Sequence, residues 1–212
     1  LAFIIPYSNS FEFLVKPMTA PHAPDSLILA SRSPYRRELL ARLGLPFTVH
    51  SPDIDETPKP GEHFVQTAQR LACEKAIAIA RQFPNAVVIG SDQVAHCKGV
   101  RLDKPGNAQN ALEQLLLQRG NTSEFYTAVC VASEAGKKVA QQLVTTRVTF
   151  LDESELSEAA LRRYIELEKP FDCAGGAKSE GLGIALIKSI EGPDPTALVG
   201  LPLIAVVRLL NE

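Results

Sequence analysis

The nine residues AVVIGSDQV, at positions 86–94, indicate the fold class of this chain. The first part of this stretch, 86–90, is small and β-branched, and such a run predicts a strand that is buried on both faces. A polar SDQ sequence follows at 91–93. We interpret Asp92 as lying just past the carboxyl end of the strand, which is where α/β sheets bind ligands. A carboxylate that only caps a turn is the alternative interpretation.

Strands and helices alternate on both sides of this stretch. Strand-like runs lie at 26–30, 46–50, 86–90, 123–133, 139–150 and 183–187, and helix-like runs lie at 34–43, 62–83, 107–119, 154–168 and 196–210. A turn at 134–137 connects the two longest strands as a hairpin. Alternation followed by a hairpin predicts an α/β fold whose mixed sheet is flanked by helices.

The composition is that of an ordinary globular domain. The 212 residues are 45% hydrophobic and 22% charged, with a formal net charge of −2, and this length predicts one domain. A charge so close to zero argues against general binding of nucleic acid, and no run approaches the roughly 20 apolar residues of a membrane span. Widely spaced cysteines without a CxxC pair are typical of reduced thiols. We predict a cytoplasmic protein without nucleic-acid or membrane partners.

The first residues of the chain differ from the rest. The stretch LAFIIPYSNSFEFLVKP at 1–17 is apolar but interrupted by polar residues and proline. It lacks the basic start and the continuous apolar core of a signal peptide. Met18 is the only methionine, and we interpret it as the true start. We therefore predict that 1–24 is a non-native or disordered leader and that 25–212 forms the folded domain.

The stretch LILASRSPYRREL, at 27–39, passes from an apolar strand into a basic helix start. Its proline suits the first helical turn, and either Ser31 or Ser33 could cap the helix. Free N–H groups at a helix start bind anions, and the guanidinium groups of Arg36 and Arg37 suit phosphate oxygens. The alternative is a capped helix with a solvated basic face.

Two further features carry charge into or near the predicted core. Lys75 falls on the apolar stripe of the helix at 62–83, together with Leu71 and Ile79. Its ammonium either reaches solvent along the helix surface or points into a cleft at the end of the sheet. The acidic loop SPDIDETPKPGE at 51–62 either is a solvent loop or holds a divalent metal through Asp55 or Glu56.

Several motifs, taken in order, give the chain a resemblance to a known family. SRSPYRR, DETP, EKA, SDQ, KP, FDCAGGAKSEG and DPTALVGLP resemble the Maf family of nucleoside triphosphate pyrophosphatases over 26–208. SDQ at 91–93 and KSEG at 178–181 are similar to the YceF branch, whose members hydrolyse 7-methyl-GTP. The dTTP/UTP branch has threonine at the position of Gln93 and glutamine at that of Glu180. Tyr35 departs from the tryptophan that is common in the YceF branch.

The resemblance implies a fold and an activity. The fold is a Maf/ITPase-like α/β structure, with a bent mixed sheet flanked by helices and a cleft between two lobes. The implied reaction cleaves a nucleoside triphosphate, first of all 7-methyl-GTP, to the monophosphate and pyrophosphate, with Mg²⁺ or Mn²⁺ as the cofactor. A dTTP/UTP pyrophosphatase is the closest alternative, and a nucleotide-binding regulator of septum formation with little turnover is the other. The expected binding partner is the nucleotide substrate, and a homodimer is possible.

The resemblance also assigns residues. Asp92 is the expected proton acceptor, and Asp92 with Glu56 is the expected metal pair. The residues expected at the phosphates are polar or basic: Ser31, Ser33, Arg36, Arg37, Lys75 and Lys104. The residues expected to set base specificity are Tyr35, Gln93 and Glu180.

Overall fold

The structure is a computed structural model that describes residues 26–212. Its strands are β1 (Leu27–Ala30), β2 (Thr48–His50), β3 (Val87–Cys97), β4 (Val100–Leu102), β5 (Thr122–Ser133), β6 (Lys138–Phe150) and β7 (Ile187–Glu191). Its helices are α1 (Pro34–Ala41), α2 (Phe64–Gln82), α3 (Ala108–Gln118), α4 (Glu158–Glu168) and α5 (Leu203–Leu210). The leader at 1–24, with Met18, lies outside the described residues, so its assignment stays a prediction.

All the strands belong to one sheet, in the order β2-β1-β3-β5-β6-β7, and β4 pairs with β3. β1 is parallel to β2 and to β3. The remaining pairs are antiparallel, including the long hairpin of β5 and β6. The predicted mixed sheet and the predicted hairpin are therefore confirmed.

The strand β3 changes its neighbour halfway along one edge. Its pairing with β1 ends at Ala30 and Gly90, and its pairing with β4 begins at Ala95 and Leu102. Between these points, residues 91–94 have no strand beside them on this edge within the described part of the chain. The opposite edge stays paired with β5 throughout. An opening therefore lies beside a strand that is still held firmly in the sheet.

Three apolar clusters surround this opening. One lies under α2, and a second lies on the other face of the sheet under α1 and α5. Both belong to a first lobe that includes β1 and β2. The third cluster joins α3 and α4 to the far halves of β3, β5 and β6, and forms a second lobe. The opening in β3 lies where the two lobes meet.

A close contact brings α2 against β3 at Gly90. A Cβ atom at this position would lie 2.3 Å from the Ala72 carbonyl oxygen and 2.7 Å from the Ala76 nitrogen. Neither backbone atom can move without displacing the helix, so only glycine fits here. Because Gly90 has no side chain, α2 packs directly against β3 at this point. This packing places Lys75 of α2 next to Asp92, which lies two residues beyond Gly90 in the strand.

The prediction that β3 ends at residue 90 is wrong. The strand continues to Cys97, and Asp92 lies within it, paired with Ala128 of β5. A polar SDQ sequence resembles a turn because buried strands are usually apolar. Here the antiparallel pairing with β5 supports the backbone, and the cleft accepts the polar side chains.

Two predictions near the carboxyl end are also wrong. The segment Leu182–Leu186 is a 3₁₀ helix, and strand β7 begins only at Ile187. The predicted helix at 196–210 is interrupted, because Gly200 has a φ of 114° and Pro202 follows it. Proline cannot continue a helix that precedes it, so α5 starts at Leu203. Within residues 26–212, no helix has both the length and the apolar character that a membrane crossing requires.

Candidate active site

A cavity of about 660 Å³ opens at the gap in β3. Its walls come from both lobes: the turn after β1, the loop before α2, the middle of β3, and β4 with the loop that follows it. The charged side chains along these walls are Arg32, Arg36, Glu56, Lys75, Asp92, Arg101, Asp103, Lys104 and Asp172. Basic and acidic groups therefore face one another across the space where the two lobes meet.

At the centre of the cavity, one lysine joins two carboxylates. Lys75 Nζ lies 2.7 Å from Asp92 Oδ1 and 2.9 Å from Glu56 Oε2. Lys75 is only 5% exposed and Asp92 only 7%, whereas Glu56 projects from a loop with 58% of its side chain exposed. The ammonium therefore points into the cleft, and the alternative in which Lys75 reaches solvent is wrong. We call these three residues the acid–lysine cluster.

The loop that carries Glu56 is fastened to α2 by an arginine. Arg70 Nη2 donates to the carbonyl oxygen of Thr57 at 3.2 Å, and its Nε lies 2.6 Å from Glu62 Oε1. The Arg70 guanidinium lowers the pKa of Glu62 to about 2. The ion pair with Glu62 thus fixes Arg70, and the Arg70 hydrogen bond holds Thr57, the residue that follows Glu56.

The turn between β1 and α1 has the capping pattern that its sequence indicated. Ser33 is the N-cap, with its side chain accepting from the Arg36 N–H, and Ser31 Oγ accepts from the Ser33 N–H at 3.1 Å. Arg36 Nε donates to the Gly200 carbonyl at 2.8 Å. Burial lowers the pKa of Arg36, and the charges of Asp92 and Glu56 oppose that shift. The contact with Gly200 leaves the terminal nitrogens of Arg36 available to a ligand.

A second cavity, of about 130 Å³, adjoins the first and shares several of its wall residues. Gln93 projects toward it from the face of β3 opposite to Asp92, because successive side chains of a strand alternate. Gln93 Nε2 donates to Thr127 Oγ1 at 2.9 Å and to the carbonyls of Ala197 and Leu198 at 3.0 and 3.1 Å. These acceptors use both amide hydrogens. Gln93 therefore offers a ligand only its acceptor oxygen.

Three side chains connect the two lobes across the small cavity. Tyr35 of α1 donates its hydroxyl to Asp172 Oδ2 at 2.9 Å. Lys178 Nζ lies 3.3 Å from Asp172 Oδ1 and 5.8 Å from the centroid of the Tyr35 ring. Burial raises the pKa of Tyr35. The pKa of Lys178 is also raised, since its contacts with Tyr35 and Asp172 outweigh the opposing effect of burial. Glu180 lines the same cavity and is exposed.

A comparison with known families fits this arrangement. Residues 26–212 match the family model described as Maf-like protein.

The chain belongs to the Maf family.

Relatives of this Maf chain share about half of its residues. A 7-methyl-GTP pyrophosphatase from a Polaromonas species is 54% identical over 185 residues, which are 87% of this chain and 83% of the relative. A 7-methyl-GTP pyrophosphatase from Methylobacillus flagellatus is 51% identical over 184 residues, 87% of this chain and 94% of the relative. A solved dITP/XTP pyrophosphatase from Mycobacterium abscessus is 17% identical, with a TM-score of 0.36, and aligns with 58% of this chain and 73% of its own.

The structure brings nearly all of the predicted site residues of the Maf chain to the two cavities. The large cavity is lined by Ser31, Ser33, Arg36, Glu56, Lys75, Asp92, Gln93, Lys104 and Tyr35, and Glu180 lines the small one. Arg37 is the exception: it is exposed and lines neither cavity. Successive helical residues point about 100° apart, and this rotation places the Arg37 side chain on the exposed side of α1. The roles assigned to these residues stay predictions.

Five charged residues of the cavities were not predicted from the sequence, and one of them is Asp103, whose Oδ1 lies 2.8 Å from Arg101 Nε. Arg32, one residue before the N-cap, lines the large cavity and donates from Nε to Ser51 Oγ. Arg101 of β4 lines it as well. Asp172 and Lys178 come from the glycine-rich stretch that the sequence did mark. Charged side chains within a glycine-rich stretch were the sequence signal for these two residues. The sequence could not show their partner, because Tyr35 is 137 residues away from Asp172.

The acid–lysine cluster is also the place where the donors suit a divalent metal. Asp92 and Glu56 converge on a single cationic atom, the Lys75 nitrogen. Mg²⁺ is commonly held by one or two carboxylates, together with substrate phosphates and water. Among the described residues, no group of three or more His, Cys, Asp or Glu side chains is placed to hold a metal ion. Two carboxylates and a phosphate-bearing ligand are the donor set that the cavity allows.

Proposed function

We propose that this Maf protein hydrolyses a nucleoside triphosphate, 7-methyl-GTP first of all, to the nucleoside monophosphate and pyrophosphate. One observation carries the proposal: Asp92, a buried carboxylate, opens into a cavity whose walls also supply Arg32, Arg36, Arg101 and Lys104. A buried carboxylate that shares a cavity with several cationic side chains is suited to a reaction of an anionic substrate. The relatives at 54% and 51% identity carry the name of this activity.

Asp92 is suited to accept a proton from water. Lys75 occupies its Oδ1, and no described residue donates to its Oδ2. We assign this free oxygen the role of the general base. The water oxygen forms a bond to the α-phosphorus as its proton passes to Asp92. The bond between the α-phosphorus and the bridging oxygen breaks, and pyrophosphate leaves with the electron pair.

The basic residues of the cavity would hold the triphosphate. Arg36 is fixed by its contact with the Gly200 carbonyl, and Lys104 lies on the opposite lobe in the loop after β4. Preorganised cations that face the developing negative charge lower the barrier to its formation. Both groups line the cavity in which a triphosphate would lie.

A divalent cation, Mg²⁺ or Mn²⁺, fits Glu56 and Asp92. When bound, such an ion acts as a Lewis acid on phosphoryl oxygens and neutralises part of their charge. In the structure the Lys75 ammonium holds both carboxylates close together, so the pair is preorganised for a cation.

The small cavity favours guanine over a pyrimidine. Gln93 presents only its carbonyl oxygen, and Glu180 presents a carboxylate. Guanine offers adjacent N–H donors on its Watson–Crick edge, whereas uracil and thymine place a single N–H between two carbonyl oxygens. The two acceptors Gln93 and Glu180 can pair with those adjacent guanine donors, whereas they offer no donor to the carbonyl oxygens of a pyrimidine, and an unpaired buried polar group is costly. This argues against the dTTP/UTP alternative.

The test is a panel of nucleotides assayed for pyrophosphate release with Mg²⁺ or Mn²⁺. The panel contains 7-methyl-GTP, GTP, dTTP, UTP and CTP, and each is assayed with the wild type and with Asp92→Asn. We expect release to be fastest with 7-methyl-GTP and to depend on Asp92. Equal rates on all five nucleotides would contradict the substrate assignment. Absence of release with every nucleotide would favour the alternative of a binding regulator of septum formation.

A further inference from the structure

The small cavity already contains an internal cation against an aromatic ring. Lys178 Nζ lies 5.8 Å from the centroid of the Tyr35 ring. This lies within the roughly 6 Å over which a cation is attracted by the face of a ring. The side chain of Lys178 is only 16% exposed, and its raised pKa keeps it protonated near neutral pH. The Tyr35 ring, whose face would suit a cationic ligand, therefore already has the positive charge of Lys178 beside it.

Asp172 provides the opposite charge at the same place. It contacts Tyr35 through Oδ2 and Lys178 through Oδ1, and it lines both cavities. The other charged groups around the small cavity are Arg36, Lys104 and Glu180. Arg36 and Lys104 also line the large cavity, where a triphosphate would bind them. The charge next to a bound base is thus set by Lys178, Asp172 and Glu180.

We propose that Lys178 and Asp172 determine how strongly this protein prefers a cationic base over a neutral one. This rests on the proposed function, because it concerns the base of the nucleotide hydrolysed there. Methylation at N7 gives guanine a ring charge as long as N1 keeps its proton, and it adds no group to the Watson–Crick edge. A charged ring is repelled by Lys178 and attracted by Asp172, whereas neutral guanine responds weakly to both. Each residue therefore affects the two bases unequally.

The two charges act in opposite directions, which gives each substitution a defined sign. Lys178→Gln removes the repulsion and should raise the ratio of kcat/KM for 7-methyl-GTP to that for GTP. Asp172→Asn removes the attraction, keeps an acceptor for the Tyr35 hydroxyl, and should lower the same ratio. A unit charge about 7 Å away in a partly solvated site corresponds to a change of about three- to ten-fold. A general disturbance of the site affects both nucleotides and cancels in the ratio.

The experiment measures that ratio in five proteins besides the wild type. Lys178→Gln and Asp172→Asn are the test variants, and the double variant should return close to the wild-type ratio because the two charges cancel. Lys178→Arg retains the positive charge and should also leave the ratio unchanged. Lys188→Gln removes a charge of the same sign from exposed β7, outside both cavities, and serves as the matched control. Ratios that stay constant in both single variants would overturn the proposal.

A binding measurement separates this inference from the proposed function. Dissociation constants of 7-methyl-GMP and GMP are measured by calorimetry for the same proteins. If the wild type hydrolyses neither triphosphate, the proposed function is wrong, and the ratio of dissociation constants still tests the charges. If hydrolysis occurs while neither ratio responds to Lys178 or Asp172, only the inference fails. Failure to bind either monophosphate, together with absence of hydrolysis, overturns both.

Discussion

The acid–lysine cluster and the small cavity are adjacent, but the chain builds them differently. Lys75 and Asp92 lie on a long helix and a central strand and are 5% and 7% exposed. Asp172 and Glu180 lie on a loop, and 55% of the Asp172 side chain is exposed. Lys75 and Asp92 of the cluster are therefore part of the core, and only Glu56 reaches them from an exposed loop, whereas the small cavity has acidic groups that lie near the surface. Changes in the cluster should affect every substrate and the stability, and changes in the small cavity should mainly affect the choice of base.

The largest expected effect is that of Asp92→Asn. Loss of a general base usually lowers turnover by roughly 10²–10⁴-fold, and asparagine retains the shape of the side chain in β3. We expect pyrophosphate release to fall by this factor for every nucleotide while nucleotide binding, measured by calorimetry, persists. Asp53→Asn, at an exposed residue that lines neither cavity, is the matched control and should keep most of the activity. Near wild-type turnover of Asp92→Asn would contradict its assignment as the base.

Gly90→Ala should have the next largest effect, on stability. The new methyl group would lie 2.3 Å from the Ala72 carbonyl oxygen, so α2 would have to move away from β3. Overpacking of a core typically costs about 1–3 kcal/mol or more, and we expect the upper part of that range in chemical denaturation. Gly192→Ala is the control, because its nearest contact would be the Thr146 hydroxyl at 3.1 Å. Equal losses in both variants would show that the approach of α2 to β3 is not tightly constrained.

Lys75→Met should reduce both stability and activity. The substitution keeps the apolar stem but leaves the buried Asp92 carboxylate without its partner. Hydrogen bonds to charged groups contribute about 1.5–3 kcal/mol, so we expect a loss of that order in the free energy of unfolding. The KM for every nucleotide should rise as well. An increase in stability with an unchanged KM would mean that the lysine only packs along the helix.

A smaller effect, confined to the choice of base, is expected from Glu180→Gln. The carboxylate is exposed, so solvent screens its charge, and we expect a loss of about two- to five-fold in kcat/KM for 7-methyl-GTP. The loss for GTP should be smaller because its base carries no ring charge. The melting temperature should not change, in contrast to Lys75→Met. Equal losses on both nucleotides would indicate hydrogen bonding to the guanine edge without recognition of charge.

The smallest effect concerns pH and the loop that carries Glu56. Arg70 lowers the pKa of Glu62 from 4.5 to about 2. A carboxylate whose pKa is lowered by folding stabilises the fold at every pH above its ordinary pKa. For Glu62 this contribution is lost as the pH falls from about 4.5 toward 2. We expect the difference in melting temperature between wild type and Glu62→Gln to shrink over that range. A difference that stays constant from pH 6 to pH 3 would show that the ion pair does not support the loop.

The sequence predicted most of the elements but not all of their ends. Helices α1 to α4 begin and end within a few residues of their predicted bounds, because apolar periodicity and caps such as Ser33 are local signals. The end of β3 was predicted wrongly because SDQ has the composition of a turn. What continues the strand is its pairing with β5, in which Asp92 lies opposite Ala128, and residues so distant in sequence leave no local signal.

The sequence by itself determined the α/β class, the family, the lysine on an apolar stripe, and most of the residues that line the cavities. Only the tertiary structure decided that Lys75 joins Asp92 to Glu56, that the Gln93 amide is locked by Ala197 and Leu198, and that Lys178 lies beside Tyr35. The physical reason is the separation along the chain over which each kind of signal acts. A periodic pattern records which face of an element is apolar, whereas the partner of a polar group depends on which distant elements the sheet brings together.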